Sequence, residues 1–360
     1  MFDPDSDRAR EVAADYAAYV VGGTHAEIGT ALGQRFPVFG PTAGEMHPDH
    51  LDFARACRDE TARLFPELVE EIDAQAKAAG RSADDVLWHY CLNVGAPPAR
   101  AAGTGSANCS SVGVMTAAGP VIARNYDFFY FETWRHLVTV QPRRGLAHTG
   151  MWPGLLGGRY DGVNAAGVWV SIHGGGCRPP AQASPGVAFH HLCRIVLETC
   201  TSAEQAAALL RSAPHIASYN YFVADAHEMY VVEAHPEKTA VRAPEDGVLV
   251  CTNHPMHEDM VPMTQTPILE NSRRRAEFLR GGAVRIMKDA GPGSLPSLMR
   301  DHSAPVCGHT DGLATFWSAL CVPRRRELSY TFGAPCRNEY QPARWPDAES
   351  SRPDGGGPSA

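Results

Sequence analysis

The sequence shows little of the pattern of a secretory leader, and none is expected. Its first residues, Met1-Phe2-Asp3-Pro4-Asp5-Ser6-Asp7, are acidic and polar where a signal peptide carries a basic start and an apolar run. No apolar stretch approaches the ~18 residues of a membrane span. A cytoplasmic protein with no membrane partner is therefore expected. Basic charge is not in excess: Lys+Arg total 32 against 40 Asp+Glu, a net charge of -8. That balance argues against nucleic acid as a partner. The basic triplets Arg273-Arg274-Arg275 and Arg324-Arg325-Arg326 are short and read as solvated faces. There is no GxGxxG or Walker pattern, so Gly157-Gly158 and Gly174-Gly175-Gly176 are not phosphate loops. The 10 cysteines include no CxxC pair, and His190-His191, His254, His257 and His309 are not spaced like zinc ligands. No metal is expected, and most cysteines read as reduced, small buried hydrophobes. No internal repeat is visible.

What is present is a chain of 360 residues, 44% hydrophobic and 20% charged, long enough for a sizeable core. The first hundred residues read as mainly helical. Residues 11–19 are Ala-rich. Thr24 with Glu27 three residues on forms a capping box that opens a second helix. Residues 54–79 carry Leu64, Leu68 and Ile72 at helical spacing and stop at Gly80. Residues 82–92 form a short helix, and residues 98–107 read as a linker. Beyond Cys109 the texture changes to strands at 112–115, 121–125, 137–141, 167–173, 219–224, 229–234, 248–252, 314–322 and 327–332. Helices are expected at 188–198, 203–211, 271–279 and 294–301. Short turns join neighbouring strands, so the sheets should be mainly antiparallel. Two such sheets with helices outside give an α+β fold of four layers, αββα. The expected organisation is a segment 1–108, a segment 109–345 that begins at a cysteine, and a disordered tail 346–360, the first two forming one domain.

The chemistry centres on Asn108-Cys109-Ser110-Ser111. A small-residue run leads up to Cys109, and a hairpin follows, turning at Gly119-Pro120 and ending in Arg124-Asn125-Tyr126-Asp127. A thiol near pH 7 is mostly protonated and needs a base or a lowered pKa to act as a nucleophile. Sixteen histidines leave a Cys–His dyad open. A second route needs no histidine: if the Asn108–Cys109 bond is cut, Cys109 gains an α-amine whose reference pKa of about 7.7–8.0 suits a base for its own thiol. Arg124 and Asp127 stand three apart on a strand and should face opposite ways unless a bulge intervenes.

Eight segments in order resemble one family, the penicillin acyl-coenzyme A:isopenicillin N acyltransferase-like peptidases, which are N-terminal-nucleophile (Ntn) hydrolases. They are Gly23-Thr24-His25-Ala26-Glu27-Ile28-Gly29, Pro66-Glu67-Leu68 to Ala79-Gly80, Cys109-Ser110-Ser111, Arg124-Asn125-Tyr126-Asp127, Tyr160-Asp161-Gly162-Val163-Asn164-Ala165-Ala166-Gly167, Asn220-Tyr221-Phe222-Val223-Ala224-Asp225 with Glu233, Thr252-Asn253-His254, and Gly333-Ala334-Pro335-Cys336. The resemblance implies the αββα fold and autocatalytic cleavage between Asn108 and Cys109. It implies Cys109 as nucleophile with its own α-amine as base. Asp127 would hold that amine, Arg124 would favour the thiolate, and Asn253 would donate to the oxyanion with help from Asn164. Tyr126, Phe128, Trp152, Tyr160 and His254 are candidate substrate contacts. One departure is visible: many relatives read Cys-Arg-His where this chain reads Cys307-Gly308-His309, and Arg324 or Arg273 could stand in for the missing base.

The implied activity is hydrolysis or transfer of an acyl group at a small-molecule amide. No cofactor is required, although an acyl-coenzyme A or other thioester could serve as donor. The two cleaved pieces would remain together as a heterodimer, with further homo-oligomerisation open. The alternative from a different class is a binding or scaffold protein of the same fold that is never cut.

Overall fold

A computed structural model describes residues 15–92, 109–129, 134–152, 154–265, 270–289, 294–309 and 313–347. Two sheets form its centre. The larger has eight strands in the order β1-β4-β5-β6-β7-β8-β9-β10: β1 (Asp15–Gly23), β4 (Trp134–Pro142), β5 (His148–Trp152), β6 (Asp161–Asn164), β7 (Trp169–Gly174), β8 (Tyr219–Ala224), β9 (Met229–His235) and β10 (Lys238–Arg242). The smaller has six in the order β11-β2-β3-β12-β13-β14: β11 (Val248–Cys251), β2 (Ser110–Thr116), β3 (Gly119–Phe129), β12 (Leu313–Val322), β13 (Glu327–Phe332) and β14 (Gln341–Pro342). Among the described residues, every pairing between these strands is antiparallel except β1 with β4.

Alternation along β2 shows how the layers stack. Val112 and Val114 face outward and pack with Ala276, Leu279, Ala283 and Ile286 of helix α6 (Glu270–Asp289). Helix α7 (Leu295–Met299) completes that layer through Leu295, Leu298 and Met299. Ser111 and Gly113 face the other sheet. The Ser111 hydroxyl lies 2.8 Å from Nε2 of His173 on β7. A Cβ on Gly113 would come within 2.5 Å of the Met229 sulfur and 2.7 Å of the Phe222 ring, so only glycine lets the sheets approach so closely here. The outer face of the larger sheet is covered by α1 (His25–Arg35), α4 (Phe189–Thr199) and α5 (Ala203–Ser212), with α2 (Pro48–Leu64) and α3 (Pro66–Ala78) packed against them. The four layers follow the expected αββα order.

The expected helix at 11–19 is corrected: residues 15–23 form β1, the parallel edge strand beside β4. Tyr19 and Val21 pack against the Ile28–Leu32–Phe36–Val138–Val140–Trp152 cluster, while Val20 between them is 54% exposed. That period of two outweighs the weak helical preference of the alanines. The amino-terminal segment therefore supplies a strand as well as helices. It is tied to the rest by buried charge: Arg194 of α4 forms two hydrogen bonds of 2.9 Å to Glu71 of α3 and one of 3.0 Å to Glu198, which in turn meets His25 Nε2 at 2.6 Å. The capping box at Thr24 and Glu27 is present and sets His25 at the first helical position. Asn108, the 98–107 linker and residues 348–360 of the expected tail lie outside the described residues. Among the described residues no helix is long and apolar enough to cross a membrane.

Candidate active site

Cys109 stands immediately before β2, buried between the sheets at 2% exposure. Burial pushes its thiol above the ordinary value; Arg124 opposes that rise, Asp127 adds to it, and a hydrogen bond from the Asp127 backbone amide favours the thiolate. In the uncut chain the thiol is thus held mainly as the acid.

Arg124 sits mid-strand on β3 with its side chain fully buried and turned toward the larger sheet. It donates to the Asp161 carboxylate, to the Tyr160 carbonyl at 3.0 Å and to the Ile172 carbonyl at 2.8 Å. Its ion-pair partner is Asp161, which also accepts from Trp317 Nε1 at 2.7 Å and the Tyr330 hydroxyl at 2.9 Å. Burial disfavours the Arg124 charge, yet Asp161 keeps its pKa above the ordinary value. Arg124 therefore presents a fixed positive charge near the thiol.

Asp127 faces the other way, as alternation requires. The bulge lies on the partner strand: Tyr126 pairs with Trp317 and Asp127 with Thr315, which leaves Phe316 extra. The Thr315 hydroxyl donates to Asp127 Oδ1 at 2.6 Å and accepts from the Gly308 amide at 2.8 Å. Asp127 Oδ2 is buried without a hydrogen-bond partner among the described residues, and a Cβ on Gly308 would stand 3.2 Å from it. Burial pushes the Asp127 carboxyl up to about 7, against the Thr315 hydrogen bond and the Arg275 charge. Gly308 therefore lies against this carboxylate, whose second oxygen has no partner among the described residues.

Asn253 follows β11 and is 2% exposed. Its backbone amide donates to Ser272 Oγ at 2.8 Å and its Nδ2 points to the Gly174 carbonyl at 3.3 Å. Its Oδ1 accepts from Arg275 Nη2 at 2.9 Å. Arg275 corrects the solvated-face reading of the basic triplet: it is fully buried while Arg273 and Arg274 are exposed. Arg275 also donates to the Cys109 carbonyl at 2.7 Å, to Ser110 Oγ at 2.8 Å and, through Nε, to Asn271 Oδ1 at 2.6 Å. Burial draws its pKa down to about 10, with Asp127 and Cys109 acting to raise it. It is this arginine, rather than Arg324 or Arg273, that brings basic charge to the site. A sequence signal existed: Ser272, Arg275, Ala276, Leu279 and Ala283 share the buried stripe of α6. Thr315 and Asp161 carried no comparable signal as partners of Asp127 and Arg124.

Asn164 is not brought to the site. It ends β6, its Nδ2 donates to the Cys200 carbonyl at 2.7 Å and its Oδ1 accepts from the Val168 amide at 2.9 Å. Its amide oxygen closes the turn into β7 and its amide nitrogen ties that turn to Cys200 at the end of α4, so its contacts among the described residues are with the turn and not with Cys109 or Asn253. Trp152 is also placed elsewhere, in the cluster under α1 with Phe36 and Val138, with its Nε1 donating to the Leu155 carbonyl at 2.7 Å. Tyr126 and Tyr160 do lie beside Arg124. The Tyr126 ring stacks on Trp317 at 4.0 Å and meets Tyr160 at 5.0 Å and Phe128 at 6.0 Å. His254 binds Ser272 Oγ through Nδ1 at 2.7 Å and lines a cavity of about 350 Å³ between the β11 edge and α6, with Arg242, Arg273 and Arg280. Burial, with the charges of Arg273, Arg275 and Arg242, draws its pKa down to about 4. No contact between a histidine and the Cys109 thiol is found among the described residues; His173 is engaged with Ser111.

One cluster of side chains could hold a metal ion, although the sequence spacing suggested no ligand set. His302, Cys307, His309 and Cys336 bring one donor atom each to within 4.8 Å of one another. The sequence spacing concealed this because the donors come from two separate loops.

A family model described as acyl-coenzyme A:6-aminopenicillanic acid acyl-transferase matches residues 114–335. That span contains Arg124, Asp127, Asn253 and Arg275 and begins after Cys109. The 40 kDa form of acyl-coenzyme A:6-aminopenicillanic-acid-acyltransferase from Emericella nidulans is 29% identical over 196 residues, 53% of this chain and 52% of that protein. The chain thus spans about half the length of the curated relative it matches. Among solved structures, a variant of conjugated bile acid hydrolase from Clostridium perfringens aligns with a TM-score of 0.49 at 12% identity, covering 66% of this chain and 97% of its own. Penicillin V acylase from Agrobacterium tumefaciens aligns with a TM-score of 0.44 at 18% identity, covering 62% and 82%.

Proposed function

The chain belongs to the acyl-coenzyme A:6-aminopenicillanic acid acyl-transferase family, and from that premise we propose that it is a self-processing thiol enzyme that transfers or hydrolyses an acyl group at an amide. The observation that carries the reading is the Arg275 clamp. One buried guanidinium holds both the carbonyl of Cys109 and the side-chain oxygen of Asn253, fixing a nucleophile and an amide donor relative to each other.

In the first step the Cys109 thiol attacks the carbonyl of Asn108, and hydrolysis of the resulting thioester frees the Cys109 α-amine. That amine then accepts the thiol proton, a role burial makes necessary because the thiol alone stays protonated. The thiolate attacks the substrate carbonyl, and the oxyanion accepts from Asn253 Nδ2, whose orientation Arg275 sets. The amine gives its proton to the leaving nitrogen, and a thioester on Cys109 remains. Water releases the acid; an amine acceptor completes acyl transfer. Arg124 offsets the thiolate charge, and Asp127 sits where it can hold the ammonium. Tyr126, Phe128 and Tyr160 offer an apolar flank for the acyl group.

An intact mass spectrum tests the reading. The expected result is two pieces of 108 and 252 residues from the 360-residue chain and a single uncut chain for Cys109→Ala. A wild-type chain that stays whole and holds no reactive thiol would favour a binding or scaffold role instead. Incubating the cut enzyme with an acyl thioester, with and without an amine, separates transfer from hydrolysis.

A further inference from the structure

We propose that His302, Cys307, His309 and Cys336 bind one zinc(II) ion in a closed, four-ligand site that ties the 302–309 loop to the turn carrying Cys336. The donor atoms all lie within 4.8 Å of one another. His309 Nε2 is 3.4 Å from Cys307 Sγ and 3.2 Å from Cys336 Sγ, and the His302 and His309 rings meet nearly edge-on with centroids 5.2 Å apart. Zinc bonds of about 2.0–2.3 Å arranged tetrahedrally put neighbouring ligand atoms roughly 3.3–3.8 Å apart. The observed spacings need only small adjustments to meet that. Two thiols and two imidazoles form a borderline-soft set that suits zinc and is wrong for magnesium or calcium. Four protein ligands leave no open position, so the site is structural rather than catalytic.

Both loops are shaped without the donor atoms. The Asp301 carboxylate accepts from the Ser303 amide at 2.7 Å and the Ala304 amide at 3.3 Å, and the Asp301 carbonyl accepts from the Cys307 amide at 3.0 Å. The Ala334 carbonyl accepts from the Arg337 amide and from Asn338 Nδ2, each at 3.0 Å. Binding releases the two thiol protons to solvent. Gly308 lies between two of the ligands, and its amide starts the chain through Thr315 that ends on Asp127. The ion thus anchors the far end of that chain.

The test uses the full-length Cys109→Ala chain and zinc or cobalt(II) alone as probe. Elemental analysis after dialysis against metal-free buffer should give one zinc per chain. His302 is exposed, so His302→Ala keeps the fold. It should weaken zinc more than about 100-fold in competition with a chromophoric chelator, beyond the 10–100-fold typical of outer-shell changes. Cobalt(II) should give thiolate charge-transfer and tetrahedral visible bands that Cys336→Ser removes. Three results would overturn the proposal: zinc far below one per chain, equal zinc affinity in His302→Ala and its parent, or a Cys307–Cys336 disulfide in freshly purified, metal-free protein.

Discussion

Replacing Asp127 by asparagine in a Cys109→Ala chain should raise folding stability at pH 8 and change it far less at pH 5. The folded protein holds this carboxyl at about 7, against 3.8 for the ordinary group. As pH rises from 4 the unfolded chain releases the proton first, so the unfolded state binds fewer protons and stability falls. Above 7 both states are ionised and the loss is constant. A shift of that size corresponds to about 4 kcal/mol at the plateau, with roughly 2–3 kcal/mol developing between pH 5 and pH 8. Asparagine has no such ionisation. Its amide can still accept the Thr315 hydrogen bond, and whatever its nitrogen costs is independent of pH. The difference between the two chains across pH therefore isolates the ionisation. Urea unfolding of both chains at pH 5 and pH 8 measures it, and the Cys109→Ala background keeps both uncut. Parallel stability profiles, within about 0.5 kcal/mol, would refute the claim that this carboxyl is stored as an acid. In the chain that retains Cys109 the same substitution should lower turnover, because the ammonium loses its anionic partner. Stability and activity would then move in opposite directions at one residue.

Three further outcomes follow from the site and its support. Asn253→Ala should lower kcat on the order of 100–1000-fold with the fold intact, the loss expected for one oxyanion donor; activity within about tenfold of the parent would remove it from that role. Arg275→Lys keeps the charge but cannot span the Cys109 carbonyl, Ser110, Asn253 and Asn271 together. Self-cleavage should slow at least about tenfold at unchanged secondary structure, as followed by gel densitometry. Arg194→Ala strands Glu71 and Glu198 in a buried pocket, and thermal or urea unfolding should show a loss of about 3–5 kcal/mol.

The part of the fold that carries the candidate nucleophile was legible because local rules and tertiary demands agree there. The β2–β3 hairpin alternates, turns at a glycine with φ +83 and exposes its purpose in the run from Arg124 to Asp127. β1 misled because its alanines favour helix while its packing surface is set by Tyr19 and Val21 against strands over a hundred residues away. Asn164 misled for a different reason: an asparagine at a strand end serves a turn as readily as an oxyanion, and only the place of its partners, Val168 and Cys200, decides. Arg275 was hidden among three arginines that composition cannot distinguish and helical phase can. The His–Cys cluster was invisible because Cys336 reaches it from the far end of another strand, so no regular spacing could encode it.

The pairing of β1 with β4 has a consequence for the order of events. Were the Asn108–Cys109 bond cut as proposed, the first piece would still supply an edge strand, three packed helices and the Glu71 half of a buried ion pair to the second. If the chain cuts itself as proposed, folding must come first, and the reverse journey would differ from the forward one. A whole chain refolds at a rate independent of concentration; two severed pieces must first find each other, so their recovery from denaturant becomes second order. Cutting would turn the enzyme from a molecule that can renature into one whose native state persists chiefly because it is slow to come apart.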